Sequence, residues 1–354
     1  MRRNVKLMRL RSLLIVVSAA LALGLVAGCG DNGSTADGST DVNQLLKDTF
    51  SGNKDIKSGK LDISLTATGG GQQFAAKLSG PFQSTGTGKV PKLDIDASLE
   101  GSGQNLQAGI TSTGDQAFVS YGGTAYEIAG PIFQQFKAQY EQQASQNKDG
   151  QSLATLGIDP SKWLRNARNT GTVKVGDTDT VKITGDVDVP TMLDDVNHAL
   201  AKLRSLGGAG AAGIPDQLSE KDKQQAADAI KQLGVEIYTG SDDKILRRLV
   251  VAMKLAVDNG GSTESADVKF DMQFLDLNED QDIKAPDNPR PFEELTSKLQ
   301  QLGLGGLGGM SGGSSGSGSG SGSSQKALEK YSQCIQDAGS DNAKIRKCAD
   351  LLTP

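Results

Sequence analysis

From Lys60 onward the chain alternates. Leu61, Ile63, Leu65 and Ala67 take turns with Asp62, Ser64 and Thr66, and Leu93, Ile95, Ala97 and Leu99 with Asp94, Asp96 and Ser98. A period of two with one apolar and one polar set predicts half-buried β-strands. Shorter runs at Phe74–Leu78, Leu106–Ile110, Ala117–Tyr121 and Ala125–Ile128 are separated by glycine turns, among them Thr68–Gly71 and Gly122-Gly123. Strands resume at Thr172–Val175 and Thr180–Val189, with Val181, Ile183, Val187 and Val189 on one side and Asp177 in the hairpin turn. Three more fall around 234–239, 246–257 and 266–277; in the middle one Leu249, Val251, Met253 and Leu255 face one way. About eleven closely spaced strands predict an antiparallel meander rather than crossover units.

Helical spacing interrupts this pattern. Val42, Leu45, Leu46, Thr49 and Phe50 share a face, with Asp41 as N-cap and Gly52 as stop. Pro131 opens a polar helix from Ile132 to about Asn147, and short helices are expected at Leu153–Leu156 and Pro160–Arg168. Pro190 opens a helix with Leu193, Val196, Leu200 and Leu203 at helical spacing, and Ser219-x-x-Asp222 caps the next. These thin, polar helices are too narrow to cover an eleven-stranded apolar face, which predicts an α+β fold with an apolar concavity between sheet and helices. The candidate inner-face residues are Leu61, Ile63, Leu65, Leu93, Ile95, Leu99, Val181, Ile183, Val187, Leu249, Val251, Phe270, Met272 and Phe274. The alternative is a filled core.

The first 28 residues are of another kind. Arg2, Arg3, Lys6, Arg9 and Arg11 precede the apolar run 12–26, and Ala27 and Gly28 precede Cys29. That is the layout of a secretory signal, and Val26-Ala27-Gly28-Cys29 resembles the bacterial lipobox, which implies cleavage before a diacylglyceryl-modified Cys29. The expected mature chain carries 32 Lys+Arg against 42 Asp+Glu, a formal charge of −10. Such acidity gives no footprint for nucleic acid. It also assigns membrane association to the acyl anchor, on the extracytoplasmic face of the cell membrane. Residues 29–40 read as a flexible tether and 303–324 as a Gly/Ser linker, leaving 41–302 as the main domain and 325–354 as a short helical segment. Cys334 and Cys348 remain as an even pair in an oxidising compartment, where a disulfide across a helical hairpin is expected and two free thiols are the alternative. Closing a loop of that size contributes on the order of 3 kcal/mol. A protein partner for this segment is one expectation.

Catalytic constellations are not offered. His198 is the lone histidine, no histidine or free cysteine is left to build a zinc site, and Asp194-Asp195 and Asp242-Asp243 fit a helix's early turns and a tight turn. Trp163 is expected to pack on the sheet. Neither a cofactor, a metal nor an enzymatic activity is expected.

Several runs, in order, resemble the LppX/LprG lipoproteins of actinobacteria, which are similar in fold to the LolA lipoprotein carrier. They are Ile158-Asp159-Pro160-Ser161-Lys162-Trp163-Leu164, Val181–Val187, Ser241–Leu249, Phe274–Leu277 and Ile283-Lys284-Ala285-Pro286. The resemblance spans roughly 41–290, without the long insertion 190–233 or the C-terminal segment. It implies a half-barrel with helices on its concave face and an apolar cavity able to hold the acyl chains of an envelope lipid, for transport or presentation. A non-catalytic envelope scaffold without a cavity is the alternative function; a two-lobed solute-binding protein fits worst.

Intact-mass analysis of the exported protein tests both cysteine assignments. We predict an acylated Cys29 as first residue and no uptake of alkylating reagent at Cys334 or Cys348 before reduction. A retained 1–28 segment or two alkylated thiols contradicts the respective assignment.

Overall fold

The computed structural model describes residues 41–50, 54–101, 103–146, 157–205, 217–258 and 263–301. Expectations for Cys29, the tether, Leu153–Leu156, the Gly/Ser linker, Cys334 and Cys348 fall outside these residues.

Twelve strands form one sheet. The first six follow one another as β1 (Ser58–Gly69), β2 (Gln72–Gln83), β3 (Lys92–Gly101), β4 (Gln104–Thr113), β5 (Ala117–Tyr121) and β6 (Thr124–Glu127). The later ones are β7 (Leu164–Val175), β8 (Thr178–Val187), β9 (Ile230–Gly240), β10 (Leu246–Asp258), β11 (Thr263–Leu275) and the two-residue β12 (Arg290–Pro291). The spatial order β12-β6-β5-β4-β3-β2-β1-β11-β10-β9-β8-β7 shows two meanders running outward from a shared seam, where β1 pairs with β11. Every pairing is antiparallel except β12 with β6, the one departure from the expected meander and the reason for twelve strands rather than about eleven. The result is an open, curled α+β half-barrel.

Among the described residues five α-helices accompany it: α1 (Val42–Phe50), α2 (Gly130–Gln146), α3 (Val189–Ser205), α4 (Glu220–Ala229) and α5 (Phe292–Gln301). Their starts follow local chemistry. The Asp41 carboxylate accepts the Asn43 N–H at 2.9 Å, and Asp188 accepts that of Thr191 at 3.2 Å, with Pro190 in the first turn of α3. Ser219 and Asp222 form the expected reciprocal capping box of α4. The glycine turns also behave as read. Gly70 and Gly71, and Gly122 and Gly123, all have positive φ, the type I′ geometry that matches strand twist in two-residue hairpins.

One expected helix is corrected. Residues 160–168 form a single 3₁₀ turn, Pro160–Lys162, and then strand β7. The Trp163 carbonyl accepts the Asp188 N–H at 2.8 Å, so Leu164 is already paired with Val187. Asn166, at φ 52°, absorbs the register shift that follows. α5 and β12 have no counterpart in the sequence reading.

On the face away from the helices, strands β8 to β11 carry a charged cluster. Arg248 grips Asp271 with two hydrogen bonds, at 2.8 and 2.5 Å, and Lys269 reaches the same carboxylate at 3.2 Å. Beside it Lys182 donates to Glu236 at 2.7 Å, and Lys182 and Arg248 lie over the Tyr238 ring from their two strands, each 5.5 Å from its centroid. Burial pushes the Asp271 carboxyl up, but the Arg248 and Lys269 hydrogen bonds outweigh it and hold the group below the usual carboxylate range.

A carboxyl depressed on folding stabilises the protein above its unfolded pKa of about 4, and that contribution disappears as pH falls through the folded value. We therefore predict that Asp271→Asn lowers unfolding free energy by roughly 1–3 kcal/mol at pH 7, and that the deficit shrinks below about pH 4. Urea titrations at both pH values test this; a pH-independent deficit contradicts the assignment.

Candidate lipid-binding face

The inner face is the one that α1 and α3 pack against, and register assigns its rungs. Across the seam, Leu61 faces Phe274, Ile63 faces Met272 and Leu65 faces Phe270. Further rungs continue them: Met272 to Leu249, Leu249 to Ile237, and Ile237 to Ile183. Leu45 and Leu46 of α1, Ile158, Trp163, and Met192, Val196, Ala199 and Leu200 of α3 complete one filled core on these rungs.

A few polar contacts, buried or part-buried on the sheet side, hold the helices there. The Thr49 hydroxyl, which also donates to the Leu45 carbonyl, lies 2.9 Å from that of Thr239 on β9 and ties α1 to the sheet. Asp195 of α3 accepts from the indole N–H of Trp163 at 2.8 Å and from the Asp159 backbone N–H at 2.7 Å. Asp195, read from sequence as a helix-dipole residue, is therefore a clasp between α3 and the 3₁₀ turn. Asp194 instead pairs with Lys223 of α4 at 2.6 Å, and the Asn197 side chain bonds both backbone groups of Leu218. Asp243 does act as turn chemistry, accepting from the Ile245 N–H.

The other half of the sheet differs. Leu93, Ile95, Ala97 and Leu99 of β3 stand opposite Ser112, Ile110, Ala108 and Leu106 of β4, and Ile110 in turn faces Val119 of β5. Leu99, Leu106 and Ile110 are 43%, 44% and 41% exposed, and Leu93 and Ile95 are half-buried. None of the five belongs to a buried cluster. α2 closes only the end of this half that holds the β4–β5 turn. There Phe133 packs on Val90 and Ala117, and Lys137 holds the Gly114 carbonyl and Asp115. From α2 the Phe133, Phe136 and Tyr140 rings form a ladder with 6.2 and 6.1 Å spacings, and Phe136 and Ile132 remain exposed.

The sequence-predicted face thus divides. Leu61, Ile63, Leu65, Ile183, Leu249, Val251, Phe270, Met272 and Phe274 are buried in the filled core, and Val181 and Val187 pack half-buried against it. Leu93, Ile95 and Leu99 lie on the uncovered half. Sequence reasoning did not name Leu106, Ile110 or Val119 as lining, although Leu106, Ala108 and Ile110 alternate as cleanly as their neighbours on β3.

At the boundary between the halves, β2 and β3 approach closely. Between the pairs Ser79–Asp96 and Phe82–Leu93 the ladder skips Gly80 and Pro81. Pro81 has no N–H to give. Gly80 has φ 151°, and a Cβ there would lie 1.9 Å from the Asp94 carbonyl oxygen. Only glycine allows β3 this close.

Chemically, the uncovered rungs are aliphatic. Among the described residues no group of three His, Cys, Asp or Glu could hold a metal, and His198 is exposed on α3. No described helix is long and apolar enough to cross a membrane. What these rungs can do is take apolar surface out of water, at about 25 cal/mol per Å².

Fold and face together define an α+β half-barrel in which, among the described residues, helices cover one half of the inner face and leave most of the other exposed. No protein-family model and no curated protein matches the sequence. Among solved structures, the chain is similar to LprF from Mycobacterium bovis, at 12% identity and TM-score 0.34, over 69% of this chain and 96% of that one. It is also similar to the Mycobacterium tuberculosis lipoprotein LppX, at 11% identity and TM-score 0.29, over 65% of this chain and 91% of that one. The resemblance drawn from the sequence motifs meets the same group of lipoproteins here. At these TM-scores the likeness carries no inference about the site, which rests on this chain's own side chains.

We predict that Gly80→Ala, which must displace backbone and adopt an unfavourable φ, costs about 2–4 kcal/mol. Denaturant unfolding checks it; a loss under 0.5 kcal/mol would mean the close approach of β2 and β3 does not depend on glycine.

Proposed function

We propose that this protein is a membrane-anchored extracytoplasmic lipoprotein that binds the acyl chains of a hydrophobic envelope lipid on the bare half of its sheet, for transport or presentation and without catalysis. One observation carries the reading: Leu99, Leu106 and Ile110, directly cross-strand from Leu106, Leu99 and Ile95, are left two-fifths exposed on the inner face of a folded sheet. Contiguous exposed apolar surface of this kind supports a binding site. Its aliphatic, uncharged lining suits alkyl chains and gives loose selectivity among them. Cys29 supplies the anchor in this reading, and the Cys334–Cys348 disulfide staples a terminal segment open to a protein partner.

The filled core under α1 and α3 favours a second reading, an envelope scaffold without ligand, because most of the candidate lining residues are already occupied by protein.

The two readings separate on the full chain purified from its own host. For the carrier, native mass spectrometry should find a stoichiometric lipid, and a fluorescent fatty acid should exchange into delipidated protein. The double variant Leu99→Asp/Leu106→Asp, which alters exposed positions only, should keep the circular dichroism spectrum and bind the probe at least tenfold more weakly. Lipid-free protein with no probe uptake selects the scaffold.

A further inference from the structure

Two lysine–tyrosine pairs on this sheet share a geometry and differ in what completes them. On the face away from the helices, Lys182 lies 5.5 Å from the centroid of the Tyr238 ring. Glu236 joins that pair, accepting from Lys182 at 2.7 Å and from the Tyr238 hydroxyl at 2.7 Å. On the inner face, Lys298 of α5 lies 5.5 Å from the centroid of the Tyr126 ring and donates to its hydroxyl at 2.8 Å. Among the described residues no carboxylate lies within ion-pair reach of Lys298. Glu294, one turn earlier on the same side of α5, is engaged by Arg290 at 3.4 Å, and Glu293 falls on another side of the helix. The Tyr126 O–H, which can still donate after accepting from Lys298, meets no acceptor among these residues.

Strand pairing puts this ammonium at the margin of the bare half. Tyr126 of β6 stands opposite Val119 of β5, Val119 opposite Ile110 of β4, and Ile110 opposite Ile95 of β3. At about 4.8 Å per strand, Ile110 lies roughly 10 Å and Ile95 roughly 14 Å from Tyr126 along this row. The next row toward the β3–β4 turn is the smallest, with Ala97 on Ala108, and beyond it stands Leu99 on Leu106. A shallow depression therefore crosses the strands over the two alanines, between isoleucine and leucine walls.

Every inward position of β3, β4 and β5 is uncharged. Lys298 is thus a cation set beside an apolar surface that offers it no counter-charge. An alkyl chain in the depression loses contact with water along its length. A negatively charged oxygen at its end gains charge-assisted hydrogen bonds beside Lys298 that an uncharged head does not.

From the contrast between the two pairs, we propose that Lys298 and Tyr126 hold the anionic head, a carboxylate or phosphate oxygen, of an amphiphile whose chain lies across β3–β5. The head oxygen stands between Lys298 and Tyr126 as the Glu236 carboxylate stands between Lys182 and Tyr238. The inference rests on the lipid-binding reading of the bare half and narrows its ligand to an acidic one.

The test is calorimetric titration of the delipidated full chain at pH 8 with dodecanoate, dodecyl phosphate and dodecanol, each kept below the concentration at which it self-associates. The readout is the ratio of anionic to uncharged affinity within one protein, so a loss of fold or of apolar binding does not mimic the effect. The expected result is that the wild type binds at least one of the two anions about threefold or more tightly than dodecanol. That ratio should be at least halved in Lys298→Gln and restored in Lys298→Arg. The tighter of the two anions tells a carboxylate head from a phosphate one. Because the ammonium is exposed, the preference should shrink as salt is raised. Equal binding of all three by the wild type, or a ratio not halved in Lys298→Gln, overturns the head site while the lipid-binding reading stands. Binding of none of the three overturns that reading, and the head site with it.

Discussion

Everything in this domain hangs on the pairing of β1 with β11. The first and last long strands, some two hundred residues apart, meet over ten register pairs, and their inner rungs are large apolar side chains: Leu61 on Phe274, Ile63 on Met272, Leu65 on Phe270. Each meander alone has two free edges, and all its strands but β8 and β9, which α3 and α4 separate, follow one another through short connections. The seam joins them into one inner face, whose core also takes in α1 and α3. Because it closes the longest loop, its entropic cost is met only by the burial it brings, so the two meanders and their helices are expected to fold cooperatively about it.

The helices add little polar contact but place it where slippage would matter. Thr49 with Thr239, and Asp195 between Trp163 and Asp159, are hydrogen bonds inside an otherwise apolar interface. Apolar packing alone tolerates small translations of a helix over a sheet. A buried donor and acceptor do not, since a shift leaves both unsatisfied. These contacts set the registration of α1 and α3, and thereby which strands are covered and which are left bare.

Much of this was legible in the chain. Period-two runs placed the strands, the glycine pairs at 70–71 and 122–123 marked hairpins, and Asp41, Pro190 and Ser219 marked helix starts. The misread segment 160–168 has helix-forming composition, and tertiary pairing of Leu164 with Val187 overrode it. α5 was missed because its buried anchor, Leu295, is one residue in a short acidic stretch, and its further support is the 2.8 Å hydrogen bond from Lys298 to the distant Tyr126 hydroxyl. The division of the inner face into filled and bare halves was not legible at all. Ile63 and Ile95 occupy the same kind of position in the same pattern; they differ only in distance along the sheet from α1 and α3, which topology decides and periodicity does not record.

The close approach at Gly80 and Pro81 bears on how such a face would meet a ligand. Where β2 meets β3, a missing side chain leaves room for the Asp94 carbonyl and a missing N–H leaves the ladder unpaired. That approach is covalent in origin, written into two adjacent residues, and so does not depend on a ligand. On the proposed lipid-binding reading, an alkyl chain would meet strands already set at this spacing, with little reorganisation there subtracted from affinity. Exchange should be governed by how fast an alkyl chain leaves its previous surroundings.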